Sequence, residues 1–108
     1  VEFWATWCPP CLTTMDWMGK LDPQRVQVVA VAVESKREDV DRVLAGHRAP
    51  GRVVMATPEL LESFGGVPAV PTMLLADGQG RVVKAFYGAP PDLHRQIAKE
   101  LDALTLSQ

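Results

Sequence analysis

The sequence predicts an α/β fold in which a central mixed sheet carries helices on both faces, and three observations lead to this class. Apolar runs of strand length alternate along the chain with amphipathic stretches of helical period. Residues 26–33 form a nearly continuous β-branched run, which is typical of a parallel strand buried on both faces. Turn residues 77–80 join two further apolar runs as a hairpin, so part of the sheet is antiparallel.

The composition is that of one ordinary globular domain spanning residues 1–108. Hydrophobic residues make up 47% of the chain and charged residues 22%, which suffices for a core without structural cross-links. The formal net charge of -2 gives no reason to expect nucleic acid or an anionic membrane surface as partner. The sequence contains no transmembrane or secretory segment and starts inside a strand. We therefore expect an excised domain, and a membrane anchor outside this chain is left open.

The first strand and the first helix are predicted at residues 1–5 and 9–18. Glu2 alone interrupts the apolar run at the start, and apolar side chains at helical spacing begin just after residue 11. Pro9 suits the first helical position, because its missing N–H is not needed there and its φ is already helical. Gly19 is the stop signal of this helix.

Two cysteines enclose the start of that helix in a Cys-Pro-Pro-Cys motif. Cys8 comes at the helix N-terminus, where free N–H groups and the helix dipole favour a thiolate, so it is the predicted nucleophile. Cys11 follows within one turn, close enough for a reversible disulfide. Since Pro10 removes another N–H, stabilisation of a Cys8 thiolate should fall mainly on the amide of Cys11. The motif predicts dithiol redox chemistry that needs no cofactor.

The remaining elements are predicted from period, caps and turn residues. Thr57 followed by Pro58 marks a helix start, and the glycines at 65 and 66 mark its end. His47 should complement the dipole at the end of its helix. His94 lies off the apolar stripe of the last helix and is predicted to be a surface residue. The predicted ranges are strand 26–33, helix 36–47, strand 52–56, helix 57–64, strands 73–76 and 81–87, and a final helix opened by residues 90–92.

Residues 3–11, Phe-Trp-Ala-Thr-Trp-Cys-Pro-Pro-Cys, resemble the active site of the thioredoxin superfamily. The double-proline insert is most similar to the bacterial TlpA/ResA-type reductases and their cytochrome c maturation relatives. The resemblance covers essentially the whole chain and implies a thioredoxin fold that lacks upstream N-terminal strands. It also implies a periplasmic or extracytoplasmic location, with the cytoplasm as alternative. The chain departs from these families at Asp16, where thioredoxins carry a helix-kinking proline, and at Thr14, where ResA-type proteins carry a glutamate.

Glu2 matches the acidic residue that thioredoxins bury behind the second cysteine, where it relays a proton. Strand alternation places Glu2 on one side with Trp4 and Thr6. The strand at 26–33 lacks the lysine that thioredoxins place near this acid, so burial should raise the pKa of Glu2. The alternative is a frayed, solvated strand in which Glu2 has no functional role.

Val70-Pro71-Thr72 resembles the cis-proline loop of the same superfamily. The resemblance implies that Pro71 is cis and faces the cysteine pair, and that the backbone of Val70 pairs with the chain of a substrate. We expect Trp7, Pro9 and Thr72 to complete the substrate-binding surface.

These features predict a protein-disulfide reductase. Cys8 would attack a substrate disulfide, and Cys11 would resolve the mixed disulfide while Glu2 takes its proton. Expected partners are protein disulfides or dithiols and an upstream electron-donor protein, with the chain as a monomer. An oxidant or isomerase remains an alternative, as does a redox-inert or metal-carrying binding domain. A zinc site would need two more ligands. Copper carriers of the thioredoxin fold use a wider cysteine spacing and a histidine near the proline loop, whereas residues 64–73 contain no histidine.

Overall fold

The structure, a computed structural model, describes residues 1–47 and 51–106. Strands and helices alternate in the predicted order up to the hairpin, which the last helix follows. The elements are β1 (Glu2–Trp4), α1 (Pro9–Met18), β2 (Val29–Ala32), α2 (Arg37–Gly46), β3 (Arg52–Met55), α3 (Pro58–Ser63), β4 (Thr72–Ala76), β5 (Val82–Tyr87) and α4 (Leu93–Leu106).

The strands form one mixed sheet in the order β3-β2-β1-β4-β5. β1 runs parallel to β2 and antiparallel to β4, and β3 and β5 form the two edges. The element that leads to the cysteines is therefore the central strand. The predicted α/β class and its mixed sheet are confirmed.

The core surrounds β1, whose three residues are all buried. Phe3 meets the ring of Phe64 edge-on, at 5.2 Å between centroids, which brings the end of α3 onto one face of the sheet. α1, α2 and α4 each contribute fully buried side chains. The largest of these are Met15, Val40 and Ile97.

β2 is shorter than the β-branched run predicted. It begins at Val29, because that is where a partner on β3 becomes available: Val29 lies opposite Arg52, and Ala30 lies opposite Glu2 of β1. Residues 26–28 precede the ladder, and the N–H of Val26 donates to the carbonyl of Asp22 in a turn. β-branched composition favours a strand, but paired neighbours decide its length.

Helix boundaries follow the predicted caps closely. α1 has the predicted bounds, and Thr57 caps α3 by accepting a hydrogen bond from the N–H of Leu60 at 3.1 Å. α2 is one residue shorter at each end than predicted, with Lys36 and His47 as its caps. None of the helices in the described residues is both long and apolar enough to cross a membrane.

Candidate active site

Cys8 and Cys11 form a disulfide at the start of α1, with their Cα atoms 5.3 Å apart. Cys8 is the N-cap of the helix, and Cys11 lies in its first turn. The side chain of Cys8 is 6% exposed, whereas Cys11 is completely buried. An incoming sulfur therefore reaches Cys8 first, which suits the predicted division into a nucleophile and a resolving cysteine.

One backbone N–H is directed at the sulfur of Cys8. Pro9 and Pro10 occupy the first two helical positions and have no N–H to offer. The N–H of Cys11 donates to Cys8 Sγ at 3.3 Å and also to the Cys8 carbonyl at 3.1 Å. This is the donor predicted to stabilise a Cys8 thiolate, because a helix N-terminus favours negative charge.

Glu2 is completely buried in the central strand, so the alternative of a frayed, solvated strand is wrong. Neither of its carboxylate oxygens has a hydrogen-bond partner among the described residues. Burial raises the pKa of Glu2 to about 8, and the positive α-amino group of Val1 acts in the opposite direction. The indole N–H of Trp4, on the same face of β1, is also buried and has no partner in the described part of the chain. The carboxyl of Glu2 and the indole N–H of Trp4 thus do not satisfy each other.

The peptide bond between Val70 and Pro71 is cis. Thr72 begins β4 opposite Phe3, so this loop lies at the end of β1 that leads to Cys8. The carbonyl of Pro71 accepts from the N–H of Gly88 at 2.8 Å. The hydroxyl of Thr72 is buried and donates to the carbonyl of Ala69 at 2.6 Å, which makes Thr72 a support of the loop.

A tight turn connects β1 to α1, closed by a hydrogen bond from the N–H of Cys8 to the carbonyl of Ala5 at 3.2 Å. Its middle residues are Thr6 and Trp7, and Trp7 is 58% exposed beside the disulfide. Both middle residues hydrogen-bond to residues 34 and 35, which follow β2. Sequence reasoning missed this contact, since residues 29 positions apart give no local signal.

The prediction that His94 is a simple surface residue is wrong. Its Nε2 lies 3.1 Å from the hydroxyl of the buried Thr14, and its ring stacks on Trp17 at 4.7 Å between centroids. Partial burial lowers the pKa of His94. His94 lies off the apolar stripe of α4, yet it faces α1. A cavity of about 290 Å³ opens beside it and reaches Pro10, between the two cysteines.

His47 does more than end its helix. Its Nδ1 lies 3.0 Å from a carboxylate oxygen of Asp16, the residue at the position of the thioredoxin proline. His47, at the end of α2, and His94, in α4, thus contact α1 from two different helices. In the part of the chain that the structure describes, no three histidine, cysteine or acidic side chains come together as a metal site would require.

Comparison with known proteins identifies related sequences along most of the chain. A family model described as Redoxin matches residues 1–101. The thiol-disulfide oxidoreductase ResA of Geobacillus thermodenitrificans is 30% identical over 92 residues, which cover 82% of this chain and 53% of that protein. A thiol:disulfide interchange protein DsbE homolog of Paracoccus denitrificans is 30% identical over 89 residues, covering 82% and 49%. The chain spans about half the length of these curated relatives.

Solved structures agree with this relationship. A thiol:disulfide interchange protein of the thioredoxin family from Chlorobium tepidum TLS superposes with a TM-score of 0.75 at 29% identity, covering 93% of this chain and 77% of that one. StoA from Bacillus subtilis has a TM-score of 0.71 at 21% identity, covering 94% and 78%, and supports the fold alone. The resemblance found in residues 3–11 is confirmed.

Proposed function

Because this chain belongs to the Redoxin family, we propose that it is a thiol-disulfide oxidoreductase that reduces protein disulfides through Cys8 and Cys11. One observation carries the proposal. The Cys8–Cys11 disulfide caps a helix, with Cys8 6% exposed, Cys11 completely buried, and a backbone N–H directed at the sulfur of Cys8. A structural cross-link gains nothing from this asymmetry, since a loop of this size constrains the unfolded chain little. A nucleophile and a resolving thiol require it.

The reaction proceeds in two exchanges. In the reduced chain, the Cys8 thiolate attacks a substrate disulfide, forming a mixed disulfide and releasing one substrate thiolate. Cys11 then loses its proton and attacks Cys8 Sγ, which releases the second substrate thiolate and forms the Cys8–Cys11 disulfide. The substrate gains two electrons from the chain. Of the two protons that its thiolates take up, one comes from Cys11 and the other from solvent, to which Cys8 lost its proton on ionising. An upstream protein dithiol must return the electrons.

Glu2 is the proposed base for the second exchange. A carboxyl whose pKa is about 8 holds its proton near neutral pH and can also give it up, which suits a group that accepts and returns a proton in each cycle. The carboxylate form has no competing donor among the described residues, so it is free to accept the proton of Cys11.

The substrate chain is proposed to lie along the loop at Val70 and Pro71. Val70 is half-buried and precedes the cis bond, so its backbone can pair with an extended segment as an added strand. Trp7 and Pro9, both exposed, are the residues directly before and after Cys8 in the chain. Thr72 supports the loop through the hydrogen bond from its hydroxyl to the carbonyl of Ala69.

The setting is proposed from the same family. We expect an extracytoplasmic location, a role in cytochrome c maturation and a monomeric chain that needs no cofactor beyond its own dithiol. An electron-donor protein and protein disulfides are the proposed partners.

Trapping of the mixed disulfide tests the activity. Cys11→Ser should hold a reduced substrate protein covalently on Cys8, whereas Cys8→Ser should hold none. If Cys8 of the reduced chain reacts neither with a disulfide nor with an alkylating reagent, the domain is redox-inert and the proposal fails.

The reduction potential of the Cys8–Cys11 pair in defined thiol buffers tests the direction. A value near about -270 mV would support a reductant. A value near about -120 mV would reverse the direction and make the domain a disulfide donor.

A further inference from the structure

The turn that ends at Cys8 is hydrogen-bonded to two consecutive residues from a distant part of the chain, Glu34 and Ser35. Its middle residues, Thr6 and Trp7, lie between the end of β1 and the N-cap of α1. Thr6 hydrogen-bonds to Ser35, and the indole of Trp7 hydrogen-bonds to the carbonyl of Glu34. We call these two residues the 34–35 segment. It follows β2, which is the neighbour of β1 in the sheet.

The hydroxyl of Ser35 uses all of its hydrogen-bonding capacity at this place. It accepts from the backbone N–H of Thr6 at 3.0 Å and from the hydroxyl of Thr6 at 3.2 Å, and it donates to the carbonyl of Val33 at 2.9 Å. A serine hydroxyl offers one donor and two acceptor positions, so none is left over. Removing it would leave a partly buried backbone N–H of the turn unpaired.

Glu34 adopts a backbone conformation that is unfavourable for a residue with a side chain. Its φ is +45°, in the left-handed region. Its carbonyl accepts from Trp7 Nε1 at 3.1 Å. Trp7 is 58% exposed, so packing restrains the indole only in part and this hydrogen bond favours one orientation.

We propose that Ser35 is a positioning residue for the nucleophile Cys8 and that the Glu34 carbonyl fixes Trp7 as one wall of the substrate site. Ser35 holds the turn that is closed by the hydrogen bond from the N–H of Cys8 to the carbonyl of Ala5. This turn sets the N-cap geometry of Cys8. That geometry directs the N–H of Cys11 at Cys8 Sγ. The inference rests on the proposed function for its substrate wall, but its effect on Cys8 is measurable without any substrate.

The test is alkylation of Cys8 in the reduced chain as a function of pH. Ser35→Ala should slow alkylation at neutral pH by about fivefold and move the midpoint of the pH profile upward, because a looser turn weakens the N–H bond to the thiolate. Ser35→Thr keeps the hydroxyl and should restore the profile. Ser63→Ala, which removes a hydroxyl bonded to a carbonyl of α3, is the matched control and should change nothing.

Trp7→Phe tests the second part, since it keeps an aromatic ring and loses only the indole N–H. It should raise the KM for a protein disulfide severalfold, and an unchanged KM would overturn the role given to the Glu34 carbonyl.

Several outcomes would overturn the inference. An unchanged alkylation midpoint in Ser35→Ala would do so, even with a lowered melting temperature, since the role would then be structural only. Failure of Ser35→Thr to restore the profile would do the same. Should Ser35→Ala not fold, Ser35→Gly removes the same hydroxyl, and a wild-type profile there would refute the proposal. Absence of protein-disulfide reduction by the wild type, with the alkylation effects present, would refute the proposed function alone.

Discussion

The side chains of Glu2 and Asp77 both end in a carboxyl group, and the fold shifts the pKa values of these two groups in opposite directions. Glu2 lies in the central strand without a donor among the described residues, and burial raises its pKa to about 8. Asp77 lies in the hairpin between β4 and β5. There it accepts from the N–H of Arg81 at 3.0 Å, the N–H of Gln79 at 2.9 Å and the Arg81 guanidinium at 3.0 Å. These bonds, with the Arg81 N–H foremost, lower the pKa of Asp77.

The difference teaches that the supply of donors decides what a carboxyl can do. In the hairpin, donors fix the charge and the acid becomes part of a turn. In the central strand, no donor among the described residues bonds to the carboxyl, and the acid keeps a proton that it can exchange near neutral pH. The same functional group, a carboxyl, is structural in the hairpin and available for chemistry in the central strand.

The largest expected effect concerns the pH dependence of stability. Since folding raises the pKa of Glu2 from 4.5 to about 8, the folded chain binds this proton more tightly than the unfolded chain. The contribution of this bound proton to the free energy of unfolding is fully present below about pH 4.5 and is lost as the pH rises through about 8. The total loss is at most about 5 kcal/mol. Glu2→Gln should remove this loss, as denaturant titrations at several pH values would measure. Equal slopes in wild type and variant would contradict the comparison.

The next effect concerns the second exchange of the proposed reaction. Glu2→Gln should slow release of the substrate from the mixed disulfide by about 100-fold, because Cys11 loses its base. Asp77→Asn is the matched control, since it changes a carboxyl of similar size in the hairpin, and it should leave the rate unchanged. Single-turnover kinetics would separate this step from the attack by Cys8. Release at the wild-type rate in Glu2→Gln would exclude the base role.

Thr14 shares one property with each of the two acids. It is buried, as Glu2 is, and its side chain has a hydrogen-bond partner, as that of Asp77 has; the partner of Thr14 is His94. Thr14→Val keeps the shape and removes the hydroxyl, and it should lower the free energy of unfolding by about 1 kcal/mol. Thr13→Val is the control: this neighbour is exposed, and among the described residues its hydroxyl bonds to a carbonyl of its own helix. Equal losses in the two variants would mean that the contact with His94 contributes nothing.

The smallest effect is expected at Asp77. Because folding lowers its pKa below 3.8, the stability it provides is present above that pH and is lost as the pH falls through the folded value. Asp77→Asn should therefore be slightly less stable than wild type at neutral pH, and the difference should vanish in acid. Melting temperatures at about pH 6 and about pH 3 would measure this. A difference that grew in acid would contradict the assigned sign.

Local patterns determined much of this protein. The bounds of α1 follow from Pro9, helical spacing and Gly19, all within one stretch of chain. The position of Cys8 at the helix N-terminus follows from the same stretch. Glu2 could be assigned to a buried strand because apolar neighbours surround it in the sequence, and the absence of a nearby lysine predicted the direction of its pKa shift.

The tertiary structure decided which distant surfaces meet. Ser35 reaches Thr6 across 29 residues, Asp16 meets His47 across 31, and Thr14 meets His94 across 80. The start of β2 likewise depends on where β1 and β3 offer partners. Period and capping act over one or two turns of chain, so they fix elements and their exposed or buried faces. A side-chain hydrogen bond between distant elements depends on atomic positions in both of them, which no local pattern encodes.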